Sequence, residues 1–269
     1  DLQALFGIPE GCLPEIRPSD AVFGHTEKGI PIVGVLGDSH AALFGHGCHA
    51  AGAAKATYGT GSSVMLNAGP EPVFSSHGLS ASVGYAFRGE IFYALEGNVT
   101  CSGDTLCWLR DQLQLIGSLD QLEELASSVP DSQGVYLVPA FSGLGAPYFQ
   151  ENARAVLCGM SRGTAREHIL RAALESIAHQ DADILDMMAL DTGTPVDCLH
   201  ADGGATKNRL LMQMQADLAP ITVRCSPSPD LSALGAGYMA GLAAGLYPSF
   251  QALKAASGQG DIYLPALSE

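Results

Sequence analysis

In the segment VGVLGDSHAALFGHG, residues 33–47, an apolar run stops at Gly37 and a carboxylate, a hydroxyl and an imidazole follow at Asp38, Ser39 and His40. Three kinds of chemistry suit these types. Asp38 can cap the helix that starts at Ser39, accepting backbone amide hydrogen bonds. The three side chains can form a Ser/His/Asp device, although consecutive residues diverge and a triad draws convergent groups from separate segments. Asp38 can also act as a base. At the carboxyl end of a strand, where open α/β sheets bind ligands, it would orient an attacking hydroxyl and take its proton in phosphoryl transfer. The residues themselves leave cap and base open.

Two further turns are rich in glycine: YGTGSS (58–63) and DGGATKN (202–208). Glycine at a strand end lets consecutive amides approach an anion closely, and Thr60 and Ser62 add hydroxyl donors to the first turn. The first turn reads equally as a tight β-hairpin. The second could lay a flat ring against Gly203–Gly204 or be an ordinary strand-to-helix connection. Neither a P-loop nor a dinucleotide fingerprint is present. His40, His46 and His49 have no common metal-ligand spacing and read as packing or surface residues. Trp108, in CWLRD, reads as core.

Around these turns the chain alternates between element types. IPIVGVLG reads as a buried strand, residues 53–69 and 80–98 as strands and hairpins, and 102–115 as a helix with Leu106, Leu109 and Leu113 on one face. Residues 164–188 form the clearest helix. Thr164 and Glu167 make a capping box, Leu170, Leu174, Ile177, Ile184 and Met188 a buried stripe, and Gly193 with Pro195 the stop. GVYLVPAFSG, ARAVLCGMS, CLHADGG and ITVRCS read as strands, KNRLLMQMQADL as a helix, and LSALGAGYMAGLAAGL as a helix of small residues. Strand–turn–helix units after an early run of three strands predict an α/β domain with a mixed sheet.

The 269 residues include 13 Lys and Arg against 28 Asp and Glu, a formal net charge of −15, which makes nucleic acid and anionic membrane poor partners. The seven cysteines, odd in number and without a C-x-x-C pair, predict a reducing cytoplasm and no disulfide framework. No apolar run is long enough for a membrane span. The chain lacks an initiator Met and begins within a helical pattern, so a fragment of a longer protein is expected.

In order along nearly the whole chain, GDSHAALFGHG, YGTGSSVMLNAG, ALEGNVTCSGDTLCWLRD, FSGLGAPYFQENARAVLCGMSRG, HILRAALESIAHQ and DGGATKNRLLMQMQADL resemble the carboxyl-terminal domain of the FGGY family of carbohydrate kinases, closest to its glycerol kinase branch. GMSRGTAREHILRAALESIA is similar to the family's second signature. The resemblance implies a ribonuclease H-like, actin-type ATPase domain, with its mixed sheet flanked by helices. Residues 1–29 would be a linker and the end of an amino-terminal domain, and residues 30–269 the carboxyl-terminal domain. It implies ATP and Mg²⁺ as cofactors, with no direct metal ligand from this chain: Mg²⁺ would be held by the nucleotide and water. Partners would be a small polyol or sugar and the protein's own amino-terminal domain, in a homo-oligomer when full length.

Residue by residue, the resemblance places Asp38 at the catalytic base. Thr60 and Gly61 match the turn that holds β- and γ-phosphate oxygens. Gly103 lies on the phosphate path, and Cys107 stands where glycerol kinases carry a Gln near the nucleotide. Gly204, Ala205 and Asn208 match the adenosine turn. Asp38, Ser39 and Ser63 would meet the substrate. Ser39 replaces a Gln and Ser63 an aromatic of the glycerol kinases, which makes room for a longer polyol or ketose. The implied reaction is ATP-dependent phosphorylation of glycerol or a related polyol or sugar, with a fragment of this length inactive alone. The alternatives are a ketopentose or tetritol kinase of the family, or an actin-like nucleotide-binding module without catalysis.

Overall fold

The computed structural model describes residues 2–256, 258 and 260–266. A short helix α1 (Leu2–Leu5) and an exposed ribbon, β1 (Gly24–His25) with β2 (Pro31–Ile32), precede α2 (Asp38–Gly45). An antiparallel group follows: β3 (Ala54–Tyr58), β4 (Ser62–Gly69), β5 (Ser80–Phe87) and β6 (Glu90–Val99). Next come α3 (Gly103–Asp111), α4 (Leu122–Ser127) and a separate ribbon of β7 (Tyr136–Val138) with β8 (Val156–Cys158). The long helix α5 (Arg166–Thr192) leads to β9 (Cys198–Asp202), α6 (Arg209–Leu218), β10 (Thr222–Cys225), α7 (Leu231–Ala243), α8 (Phe250–Ala256) and β11 (Ile262–Tyr263).

Seven strands form one sheet in the order β11-β10-β9-β3-β4-β6-β5. Strands β3, β9 and β10 run parallel, and the remaining pairs are antiparallel, so the sheet is mixed as the sequence predicts. Alternation along the strands sorts their side chains between two helical layers. Ala54, Ala56, Tyr58, Val64 and Leu66 pack with α5 and α6, where Leu170, Leu174, Ile177, Ile184, Met188 and Leu211 are buried. Met65 and Ala94 point the other way, onto Leu43 of α2, and Tyr85 and Phe87 meet Phe44 and the α7 residues Tyr238 and Met239.

Three local expectations need correction. IPIVGVLG is not a buried strand: only Pro31–Ile32 pairs, both residues exposed, and residues 33–37 run outside the sheet. Instead Gly34 lies close against Ala240 of α7, and the Val35 N–H donates to Ser19 O at 3.1 Å. Leu113 lies beyond the end of α3 and is 40% exposed, because the helix stops at Asp111. The capping box at α5 also differs. The helix starts one turn position later, at Arg166, and His168 Nδ1 accepts the Ala165 N–H at 3.0 Å while Thr164 Oγ1 accepts the Ser161 N–H at 2.8 Å. The imidazole does there what a Glu would do. The stripe and the stop match the sequence reading, with Gly193 in the left-handed region at φ 68°.

Candidate active site

Two chain reversals come together where β3 and β9 end side by side. The parallel register sets Thr57 opposite Asp202, so the 59–61 turn and the 203–204 turn leave the sheet at the same end. The first is a β-hairpin, with Tyr58 opposite Ser62 and Gly59 N–H bonded to Gly61 O at 2.9 Å. The hairpin reading of YGTGSS therefore describes its backbone. Its other carbonyls hold the start of α3: Gly59 O accepts from Gly103 at 3.0 Å, and Thr60 O from Ser102 at 2.9 Å and Asp104 at 3.0 Å.

Packing this close admits only glycine at two places. A Cβ on Gly103 would stand 2.5 Å from Gly59 O. One on Gly203, whose φ is +97°, would run into the Tyr58 carbonyl. Beyond Gly203 a 3₁₀ turn, Gly204–Lys207, leads to Asn208, whose Oδ1 accepts the Leu211 N–H at 2.9 Å and caps α6. The connection is thus both an ordinary helix start and a platform that leaves Gly204 exposed.

These turns and α3 enclose a cleft of about 550 Å³. Thr60, Gly103, Cys107, Gly204, Ala205 and Asn208 all line it. Gly61 does not, since its α-carbon backs onto Val99 O. Sequence reading missed the cleft's far wall, where Leu119 and Leu122 supply an apolar face and Glu123 accepts the Arg209 N–H at 2.8 Å. Lys207 is the cleft's one cationic side chain among the described residues. Trp108, expected in the core, is half-buried and leans on Phe141 with ring centroids 4.8 Å apart.

Asp38, Ser39 and Ser63 lie outside that cleft, on the α2 side of the sheet. Asp38 opens α2 and is exposed; Gly37, not Asp38, occupies the cap position. Its Oδ1 accepts the neighbouring Ser39 N–H at 2.7 Å, and Ser232 of α7 donates to its backbone carbonyl at 2.9 Å. The second Asp38 oxygen makes no protein hydrogen bond among the described residues. The triad does not form: His40 Nε2 turns to Ser82 Oγ, 2.9 Å away across the sheet.

A buried cation organises the ground beside Asp38. Lys55 Nζ donates to Thr57 Oγ1 at 3.0 Å, Ser63 O at 3.2 Å and Ser63 Oγ at 3.0 Å, and Ser63 Oγ donates on to Glu96 Oε1 at 3.0 Å. Burial pushes the Lys55 amine below its ordinary value, opposed by Asp202, Glu96 and, more weakly, Asp38. Burial likewise lowers His40, against the pull of Glu96. Asp202 is held below the usual carboxylate range. Burial works to raise it, but the hydrogen bond and charge of His46, then Thr57 and Lys55, outweigh that effect. The signal for this cluster was a Lys set among the apolar residues of AAKATY, a position that demands partners when the strand is buried. The three histidines separate: His46 Nε2 is 3.3 Å from Asp202 Oδ2, and His49 stacks on Phe250 at 4.4 Å.

Comparison with known proteins agrees with this architecture. The family model of the FGGY carbohydrate kinases' C-terminal domain matches residues 54–244. A glycerol kinase of Pseudomonas putida is 49% identical over 253 residues, covering 94% of this chain and 51% of that protein. One from Azotobacter vinelandii is 46% identical and covers all of this chain. The crystal structure of Plasmodium falciparum glycerol kinase with ADP superposes with a TM-score of 0.93 at 33% identity, over 99% of this chain and 55% of that one. A xylulose kinase of Rhodospirillum rubrum, at 24% identity and TM-score 0.85, shares the fold. The mixed sheet and its flanking helices are those of the actin-like ATPase class. Within it, the chain belongs to the FGGY family of carbohydrate kinases. It spans about half the length of the curated relatives it matches.

Proposed function

We propose that the chain is the nucleotide-binding half of an ATP-dependent kinase that transfers the γ-phosphoryl group to a hydroxyl of glycerol or a related polyol or sugar. The observation that carries this reading is the cleft, where residues from positions 58 to 208 converge on two glycine turns and α3. Backbone amides and the Thr60 hydroxyl would meet the phosphates at the 59–61 turn, Gly103 would leave their path open, and Gly204, Ala205 and Asn208 would flank the adenosine with Cys107 opposite. Asp38 would accept the proton of the attacking hydroxyl, and its oxygen without a protein partner is the one available for that. Ser39 and Ser63 would border the substrate.

Among the described residues no three His, Cys, Asp or Glu side chains gather as a metal cage. In this reading a Mg²⁺ ion comes in on the nucleotide and is completed by water, with no direct ligand from this chain. Such an ion neutralises charge developing on the phosphates. Residues 1–29 serve in this reading as linker and end of an amino-terminal domain, and 30–269 as the domain itself. Among the described residues no helix is long and apolar enough to cross a membrane. In this reading the full-length protein works in the cytoplasm as a homo-oligomer.

The test is substrate-dependent ADP release by the full-length protein on a panel of polyols and ketoses. Phosphorylation of at least one panel member is expected, with ATP as donor. A ketopentose or tetritol is the second reading, favoured by the small side chains at Ser39 and Ser63. Nucleotide binding without turnover on any substrate would instead mark a module without catalysis. Residues 1–269 alone are expected to turn over little substrate, since two domains must close on the phosphates.

A further inference from the structure

Beneath the cleft lies a buried acid that the reaction does not use. Asp181 of α5 is fully buried, and neither carboxyl oxygen has a hydrogen-bond partner among the described residues once the neighbouring hydroxyl protons are placed on their other acceptors. It faces the hydroxyls of Tyr58 and Ser62, the residues that close β3 and open β4 on either side of the 59–61 turn. Both hydroxyl protons are directed elsewhere: Tyr58 donates to Gln215 Oε1 at 3.0 Å, and Ser62 to Ser102 Oγ at 2.9 Å. In that arrangement what they offer Asp181 is a lone pair, which a protonated carboxyl can use and an ionised one cannot. Burial agrees, pushing the Asp181 carboxyl up to about 7 against weaker opposing pulls from Tyr58, Ser62 and Lys55.

Gln215 is equally buried, and its Nε2 has no acceptor among the described residues. The same heavy atoms therefore support a second arrangement. With the Gln215 amide turned over, its N–H donates to Tyr58, and Tyr58 donates to an ionised Asp181. The two chains of bonds run in opposite directions and differ by one proton. The titratable groups acting on Asp181 are Tyr58 and, across the sheet, Lys55; β4 adds the uncharged Ser62, and the partners behind these hydroxyls, Gln215 of α6 and Ser102 before α3, are uncharged too. On its own helix, Asp183 is engaged by the Tyr148 hydroxyl at 2.9 Å.

We propose that Asp181 is a positioning residue of the 58–62 hairpin: neutral, it leaves the turn receptive to nucleotide phosphates; ionised, it sets a negative charge beneath them and weakens their binding. The inference rests on reading residues 59–61 as the phosphate turn. Its sign is that of a like charge approaching an anion: affinity is highest on the acid side of neutrality and falls as pH rises through the titration of Asp181. Removing the ionisable group removes the dependence and leaves the hairpin's backbone bonds in place.

The experiment is ADP binding by calorimetry to the full-length protein and its Asp181→Asn variant from about pH 6 to about pH 8.5. The nucleotide's own titration is common to both proteins, so the readout is the ratio of their dissociation constants. That ratio is expected to grow about fivefold across the range, as one added charge at nanometre distance dictates. A ratio that stays constant overturns the proposal while leaving the nucleotide site intact. Absence of binding by either protein at every pH overturns the phosphate-turn reading and this inference with it. Should the Asn variant fail to fold, the wild-type protein decides alone by infrared spectroscopy. A protonated carboxyl band from a buried acid at about pH 6 that is lost by about pH 8.5 supports the proposal, and its absence at the lower pH overturns it.

Discussion

The two halves of the candidate site are built from different material. The cleft proposed for the nucleotide is backbone: carbonyls of Gly59 and Thr60 pinned to the start of α3, and Gly203 lying against Tyr58. The Asp38 corner is side chain: buried Lys55 bonded to half-buried Ser63 and through it to Glu96, His40 bonded to Ser82 as a separate pair, and Asp38 exposed beside them. A backbone site tolerates variation in side chains but not in the presence of a Cβ. A side-chain site reverses this, because its geometry survives backbone substitution but not the loss of a charge. The difference fits a division of labour in which phosphates are common to every substrate and the acceptor hydroxyl is not.

Four substitutions in the full-length protein sharpen that contrast. The largest effect is expected from Asp38→Asn, which should lower turnover by about 10²–10⁴-fold while the ADP dissociation constant stays unchanged. An equal loss of both would return Asp38 to the role of structural helix residue. Lys55→Met follows. It leaves Glu96 and Asp202 without their buried cation and should cost about 3–5 kcal/mol in urea unfolding. A loss below about 1 kcal/mol would show the network to be hydrated and weak. Gly203→Ala, strained by its positive φ and by the Tyr58 carbonyl, should cost about 1–3 kcal/mol and weaken ADP. Unaltered binding would separate the turn from the nucleotide. Smallest is Ser63→Phe, expected to shift preference toward the shortest polyol by about tenfold in kcat/KM with ADP affinity unaffected.

The same division decides what the sequence made legible. Glycine clusters at strand ends announce close backbone approach without any knowledge of partners, so YGTGSS and DGGATKN pointed to the cleft before its walls were visible. The 166–192 helix was equally plain, because its stripe, Leu170 to Met188, repeats over about five turns. The Asp38 corner was not, since its partners come from four strands and a helix, and no local pattern links Ser82 to His40 or Glu96 to Ser63. IPIVGVLG misled for a related reason. A β-rich composition gives a segment the capacity to pair, but the available sheet edges decide whether it does. The order of family motifs supplied what spacing could not: a reason to expect the base rather than the cap at Asp38.

The parallel pairing of β3 with β9 has a consequence in time. Strands β3 to β6 are close neighbours along the chain and can pair as soon as they are made, but β9 reaches β3 only after α3, α4, the β7–β8 ribbon and α5 have been synthesised. Contacts so far apart in sequence form late, because loop closure precedes any gain from them. The 203–204 turn therefore joins the cleft among the last events of folding, and the chain emerging from a ribosome carries half of the candidate site until β9 arrives.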